Sequence, residues 1–415
     1  MRVKRFSLYL VRLGILGVLV GLILIPFKET TPGSALAAET IASPASTQIP
    51  TSLNTPSPTP SPTVVPLNTK TSINSVSRTT SISSRQDFGI AGNMASLSLQ
   101  EMNSRLDGIK SLGVGWVRFD IEWSNIELTQ GQYNWTSYDQ EVRAITNHGL
   151  KSLAIIDYTP AWARRSDCSD SKMCAPANPD TYANFAGVAA ARYRPYGVSD
   201  WEIWNEPNNI NFYKPTANSS EYVSILKAAY IKIKQVNPGA AVITGGTAPE
   251  SSGGGYLSPP DFLNGIYAAG GKGYFDAVAA HPYTWPYSPA WVNPNGAWGQ
   301  MTAMHNTMSN NGDGSKKIWI TEYGAPTGGP GSIANSGFST VEGGADHVTE
   351  LLQSRIISDS IALETKTSWI GPFFLYSYQD AGTNNDTVEN FFGLLRSDGS
   401  QKPAYAVFKN AVGSY

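Results

Sequence analysis

From residue 88 to residue 412, short apolar runs alternate with longer segments whose apolar positions recur every three or four residues. The runs FGIAG (88–92), GWVRFDI (115–121), SLAIIDY (152–158), DWEIWNE (200–206), AAVITGGTA (240–248), FDAVAAHPY (275–283), KIWITEYG (317–324) and PFFLYSYQD (372–380) read as strands. They are rich in β-branched and aromatic residues and nearly continuous in apolar character, as strands buried on both faces of a parallel sheet are. Between them the helical period predicts helices over 96–113, 133–149, 179–194, 219–238, 259–270, 296–312, 343–366 and 404–412. The fourth opens on Ser219 and Ser220 as caps and closes at Asn237-Pro238. Eight strand–helix pairs in about 330 residues predict an α/β fold of the (β/α)8 TIM-barrel type. An open doubly wound sheet is the alternative, but no GxGxxG loop follows the first strand.

The pattern breaks down before residue 87. A basic segment MRVKRFSLYLVR leads into LGILGVLVGLILIPF and then SALAAET, the layout of a secretory signal ending at Ala35-Leu36-Ala37. The apolar stretch falls short of the roughly 20 residues that span a bilayer, which favours cleavage over an uncleaved anchor. No aromatic residue occurs from Lys28 to Asp87, and TPSPTPSPTVVP sits in the middle. Such Ser/Thr/Pro-rich sequence cannot bury a core and reads as a disordered linker. The expected organisation is a signal peptide over 1–37, a linker over 38–86 and a catalytic barrel over 87–415, on a chain that is secreted or displayed at the cell surface.

Cleavage after Ala37 would remove five basic residues and one acidic residue, so the net charge of -2 would become -6 (-2 minus +4). That mild acidity argues against nucleic-acid binding, which requires a basic face. Cys168 and Cys174, the only cysteines, sit six positions apart in RSDCSDSKMC. In an exported protein the pair reads as a local disulfide beside the cleft, with two free thiols as the alternative. His148, His281, His305 and His347 are scattered, and no HExxH or paired CxxC occurs, so no metal or other cofactor is expected.

Chemistry in a TIM barrel lies at the C-terminal strand ends. Strand four ends in Asn205-Glu206 followed by Pro207, and strand seven ends in Glu322 within WITEYGAP. These are the only carboxylates that finish a strand as Glu and run at once into turn-forming sequence. Strands four and seven face each other across a barrel, and two facing carboxylates are the apparatus of retaining glycoside hydrolysis. WEIWNEPN with a downstream WITEYG resembles the clan of barrel glycosidases whose acid/base follows strand four and whose nucleophile follows strand seven. GVGWVRFDIEWSNIE, GQYNW and DYTPAWA add a likeness to glycoside hydrolase family 39, which includes β-xylosidases and exopolysaccharide glycosidases.

That resemblance covers the chain from Asp87 onward and implies roles by position. Glu206 would be the general acid/base, Glu322 the nucleophile, and Asn205 a partner of the sugar 2-hydroxyl. His281 and Tyr283 would line the sugar site and hold the nucleophile, with Arg118 beneath it. The family sets a Trp on strand eight under the sugar, where this chain has Tyr376. Trp123, Trp162, Trp285, Trp291 and Trp298 follow strand ends or sit in long loops, where flat rings could stack on sugars. Packing alternatives stand beside these readings. Arg118 could simply neutralise Asp120 or Glu122, His281 could be a rim residue, and Tyr376 or any of the tryptophans could be filling space. The loops 159–180 and 284–298 are expected to shape the subsites. The expected activity is secreted, double-displacement hydrolysis of a β-linked polysaccharide or oligosaccharide. A transglycosylase would use the same residues, and a non-catalytic carbohydrate-binding barrel would not need both Glu.

Overall fold

The computed structural model describes residues 87–414 except Val292, Pro294 and Asn295. The expected signal peptide and linker therefore lie outside the described residues. Eight strands, β1 (Phe88–Ala91), β2 (Trp116–Glu122), β3 (Lys151–Asp157), β4 (Asp200–Ile203), β5 (Ala241–Thr244), β6 (Val278–Ala280), β7 (Ile318–Tyr323) and β8 (Ile370–Leu375), form one parallel sheet. Its order is β5-β4-β3-β2-β1-β8-β7-β6. Parallel bridges Ile243↔Ala277 and Thr247↔Ala280 bring the two ends together. The sheet thus curls into a barrel, and the open-sheet alternative is set aside.

A helix follows each strand: α1 (Leu99–Ser111), α2 (Thr136–Asn147), α3 (Pro179–Tyr193), α4 (Ser219–Val236), α5 (Pro259–Ala268), α6 (Ala297–Asn310), α7 (Glu350–Glu364) and α8 (Pro403–Gly413). Among the described residues no helix is long and apolar enough to cross a membrane. Local chemistry sets the helix ends. Ser98 and Glu101 form a reciprocal capping box on α1. Asn178 caps α3 ahead of Pro179 in the first turn. Two expectations shift. Asn218, not the serines after it, caps α4 through the amides of Ser220 and Glu221. The helix expected from residue 343 begins at Glu350, because Thr349 caps it and His347–Val348 pair with Ile333–Ala334.

The main apolar core lies between barrel and helices, where Phe119, Ile156, Trp201, Leu226 and Ile356 are all at most 1% exposed. A second, smaller cluster of Ala91, Trp116, Leu153, Ile243, Ala277, Ala279 and Phe374, with Trp319 packed against it, plugs the barrel interior. Because strand side chains alternate faces, Arg118 and Thr321 share the inward face with Trp116 and Trp319, one step nearer the C-terminal ends. The apolar plug thus floors a layer of polar groups.

Candidate active site

Strand β4 hands over to the site through strained backbone. Trp204 has φ 71° and Glu206 φ 46°, left-handed values that non-glycine residues rarely adopt. Such conformations cost on the order of 1–3 kcal/mol each and persist where surrounding structure imposes them. Here the Trp204 amide donates to Ile156 O (3.0 Å) and the Glu206 amide to Gly246 O (3.0 Å). The Trp204 ring is fully buried against Tyr158 and Tyr213, and its Nε1 donates to Phe212 O at 2.8 Å. Asn208 then ties down the β5 loop, donating to Ala248 O and Leu257 O and accepting from the Ala248 amide. The chain is bent this sharply at the point where it presents a carboxyl group.

Glu322, on β7, is held from two directions. Arg118 Nη1 donates to its Oε1 at 2.5 Å and the Tyr283 hydroxyl to its Oε2 at 2.8 Å. His281 Nδ1 lies 3.1 Å from Glu206 Oε1 and 3.7 Å from Glu322 Oε2. One oxygen of each carboxylate and a His281 ring nitrogen all lie within 4.8 Å of one another. Asn205 Oδ1 accepts from Arg118 Nη2 at 3.0 Å. Five residues named from the strand ends are thereby in one hydrogen-bonded constellation with Arg118.

The two carboxyls are pushed in opposite directions. Burial raises Glu322, but His281, Arg118 and the Tyr283 hydroxyl outweigh it and hold the group below the usual carboxylate range. Burial also raises Glu206, and although His281 and Arg118 oppose it, the charge of Glu322 adds to the rise, leaving Glu206 above the usual range. The surroundings thus favour the anion at Glu322 and the neutral acid at Glu206. Tyr283, raised by burial and then by Glu322, remains a hydroxyl donor.

His281 differs from its expected place. It is fully buried, so it backs both carboxyls without lining the cleft. Gly246 makes room for it: a Cβ there would sit 2.1 Å from His281 Nε2. Behind Arg118 lies a residue the strand-end reading passed over, Glu202, in the middle of β4 and fully buried. It accepts from Arg118 Nε and Nη2, Thr321 Oγ1 and the Gly246 amide. A fully buried carboxylate between Trp201 and Ile203 was the available signal. Glu250, on a loop, and Glu389, in the 3-10 helix Val388–Phe391, were also passed over; both line the cleft, and burial drives each up to about 7.

The site opens into a cleft of about 2260 Å³. Arg118, Asn205, Glu206, Tyr283, Glu322 and Tyr376 line it, as do Trp285, Trp291 and Trp298. Tyr376 packs on Phe392 with ring centroids 5.2 Å apart, and its hydroxyl donates to Glu389 at 3.5 Å. Trp123 and Trp162 do not belong here. Trp123 is fully buried, stacked on Phe185 and hydrogen-bonded to Glu127, and Trp162 packs edge-on against it. Both serve packing: Trp123 lies on α3 through Phe185, and Trp162 Nε1 donates to Glu127 O at 2.8 Å. Cys168 and Cys174 are disulfide-bonded, but no residue of 159–180 lines the cleft. That loop pairs instead with Lys214, through Ala175 N to Lys214 O and Lys214 N to Met173 O. The 284–298 loop does contribute to the wall, as expected.

Glu206, His281 and Glu322 offer three donor atoms close enough for a cation. The guanidinium of Arg118 already supplies positive charge to Glu322, which makes this a poor cation site.

No protein-family model matches the sequence, and no curated protein matches it. Solved structures do. A family 39 glycoside hydrolase from Bacteroides cellulosilyticus WH2 aligns with a TM-score of 0.61 at 24% identity, over 79% of this chain and 63% of its own. A monomeric β-xylosidase from Caulobacter crescentus CB15 aligns at 0.58 and 18% identity, over 78% and 67%. A family 39 enzyme from Xanthomonas axonopodis pv. citri aligns at 0.57 and 16% identity, over 78% and 65%. This chain therefore spans 63% to 67% of the length of these structures, and what it shares with them is the (β/α)8 barrel fold.

Proposed function

We propose that this protein is a retaining glycoside hydrolase acting on a β-linked polysaccharide or oligosaccharide. The observation that carries the reading is the Glu206–Glu322 pair. The two carboxyls approach within 4.8 Å, with Glu322 pulled below the usual carboxylate range and Glu206 pushed above it. Retaining enzymes keep their carboxyls about 5–5.5 Å apart, whereas inverting ones leave about 6.5–9.5 Å for a water. The fold shared with family 39 glycoside hydrolases supports the same reading.

In the first step Glu206 gives its proton to the glycosidic oxygen while a Glu322 oxygen bonds to the anomeric carbon and the glycosidic bond breaks. In the second step water attacks that carbon, Glu206 takes the water's proton, and Glu322 departs as carboxylate. Arg118 and Tyr283 stabilise Glu322 as an anion at the start and again when it leaves. The cleft volume exceeds the roughly 300–1,000 Å³ of ordinary small-ligand sites, and its aromatic walls suit several sugar units. A polymer is therefore favoured over a small glycoside. We further propose that the protein works outside the cytoplasm, on the strength of the signal-like sequence before residue 38.

The test is turnover of residues 38–415 on β-xylosides, β-glucosides and bacterial exopolysaccharides, with product anomers followed by NMR. Polymer cleavage with a β product appearing first is expected. An inverted product would reject the double displacement. Cleavage of aryl monosaccharides with no polymer bound or cut would reject the substrate class.

A further inference from the structure

The motif WNEPNN carries one more asparagine than the chemistry above uses. Asn209 is 4% exposed. Its side-chain oxygen accepts from the Asn211 amide at 2.8 Å, and its own amide donates to Glu206 O at 3.0 Å. Its backbone carbonyl receives the amides of Phe212 and Tyr213. With the oxygen engaged, the side-chain NH2 is turned the other way. It reaches Glu206 Oε2 at 3.4 Å and Glu250 Oε1 at 3.1 Å. One amide therefore forks between the acid/base carboxyl and a second carboxyl.

We propose that Asn209 and Glu250 are positioning residues for Glu206, aiming its carboxyl at the leaving group and holding one proton on the Glu206–Glu250 pair. The inference rests on the acid/base role given above to Glu206. It follows from where each oxygen of Glu206 is used. Oε1 faces His281, on the Glu322 side, whereas Oε2 faces Asn209 and Glu250. Glu250 lines the cleft and forms no ion pair among the described residues, while Gln300 fixes its backbone by donating to Glu250 O at 3.0 Å.

The groups that face Glu206 are His281, Glu322, Arg118, Tyr158, Glu389 and Glu250. His281 and Arg118 oppose proton retention, and Glu322 is held by its own cation. Glu250 is the carboxyl tied to Glu206 through a shared donor. When either member ionises, its charge opposes ionisation of the other, so the pair loses two protons in separated steps. Burial, and then the charge of Glu206, push Glu250 up to about 7. The second proton is thereby kept to higher pH than an isolated carboxyl would keep it.

The experiment compares wild-type protein with Glu250→Gln, Glu250→Asp and Asn209→Ala. The first readout needs no turnover: 13C NMR titration of glutamate side-chain carboxyls, with the Glu206 signal assigned through Glu206→Gln. In Glu250→Gln the Glu206 midpoint should fall by at least half a pH unit, and Glu250→Asp should restore part of it. The second readout is leaving-group dependence. Asn209→Ala should lose at least tenfold in kcat on substrates whose leaving group needs a proton, and less than threefold on dinitrophenyl glycosides that need none. A Glu206 midpoint unmoved in Glu250→Gln overturns the charge coupling. Equal losses on both substrate types overturn the aiming role. Failure of the wild-type protein to cut any glycoside would strike the functional reading, while the titration would still decide the coupling.

Discussion

Arg118 and Glu202 form a two-pronged ion pair inside the barrel, with Nε to Oε2 at 2.7 Å and Nη2 to Oε1 at 3.1 Å. The residues are 3% and 0% exposed. A planar guanidinium can satisfy this carboxylate with one edge and still point Nη1 at Glu322, which a lysine ammonium cannot do. Arg118→Lys should therefore fold yet lose on the order of 100-fold in kcat. Glu202→Ala leaves the Arg118 Nε–H and the Gly246 amide without their acceptor inside the barrel and should cost about 3–5 kcal/mol of stability. Chemical denaturation and steady-state kinetics on the two variants separate these effects. Equal stability in Glu202→Ala would mean that the pair does not hold the floor together.

Activity should trace a bell in pH. Glu322 must be ionised and is held below its ordinary 4.5, so the acidic limb lies below that value. Glu206 must be protonated and is raised above 4.5, so the other limb lies above it. The limbs belong to a coupled site and not to single residues. Glu206→Gln should abolish the alkaline limb and spare turnover only of substrates with activated leaving groups. An unchanged alkaline limb in that variant would remove Glu206 from the acid role.

Small nucleophiles should expose the division of labour. Glu322→Ala leaves space beside the anomeric carbon, so azide should restore part of the lost rate and give the α-glycosyl azide. Glu206→Ala with an activated leaving group should accumulate glycosyl-enzyme and give the β azide. Mass spectrometry and NMR read both outcomes, and the reverse pattern would exchange the two roles.

Glu141, on α2, is fully buried with one carboxyl oxygen lacking a partner. Burial pushes it up to about 8, against the pull of the Met94 amide. In the unfolded chain it would titrate near its ordinary 4.5. Between these values the folded state holds a proton that the unfolded state has released. Stability therefore falls as pH rises, by about 1.4 kcal/mol per unit for this one group. Glu141→Gln should gain stability over wild type as pH goes from 5 to 8, visible in Tm. Parallel Tm curves would contradict it.

The Cys168–Cys174 bridge closes a short loop that does not touch the cleft. Reduction, or Cys168→Ser with Cys174→Ser, should cost at most about 2 kcal/mol and leave kcat within twofold. Loss of most activity with the fold intact would show that the loop reaches the substrate after all.

The alternation of apolar runs and helical periods determined the barrel, because both faces of a parallel strand must be apolar and the spacing between strands fits one helix. The two facing carboxyls at the strand ends were legible for a related reason. A glutamate that ends a buried strand and meets a turn has few structural uses. Glu202 was overlooked because its value comes from Arg118, 84 positions earlier, and no local pattern records that pairing. His281 sits behind the carboxyls, and not in the cleft wall, because Gly246, just past the end of β5, leaves space there. Trp123 and Trp162 read as sugar platforms until chain folding stacked Trp123 on Phe185 of α3 and set Trp162 edge-on against it. Strand and helix follow from near neighbours in sequence. Charge, burial and the sharing of one amide between Glu206 and Glu250 depend on groups that only the closed barrel brings within hydrogen-bonding distance.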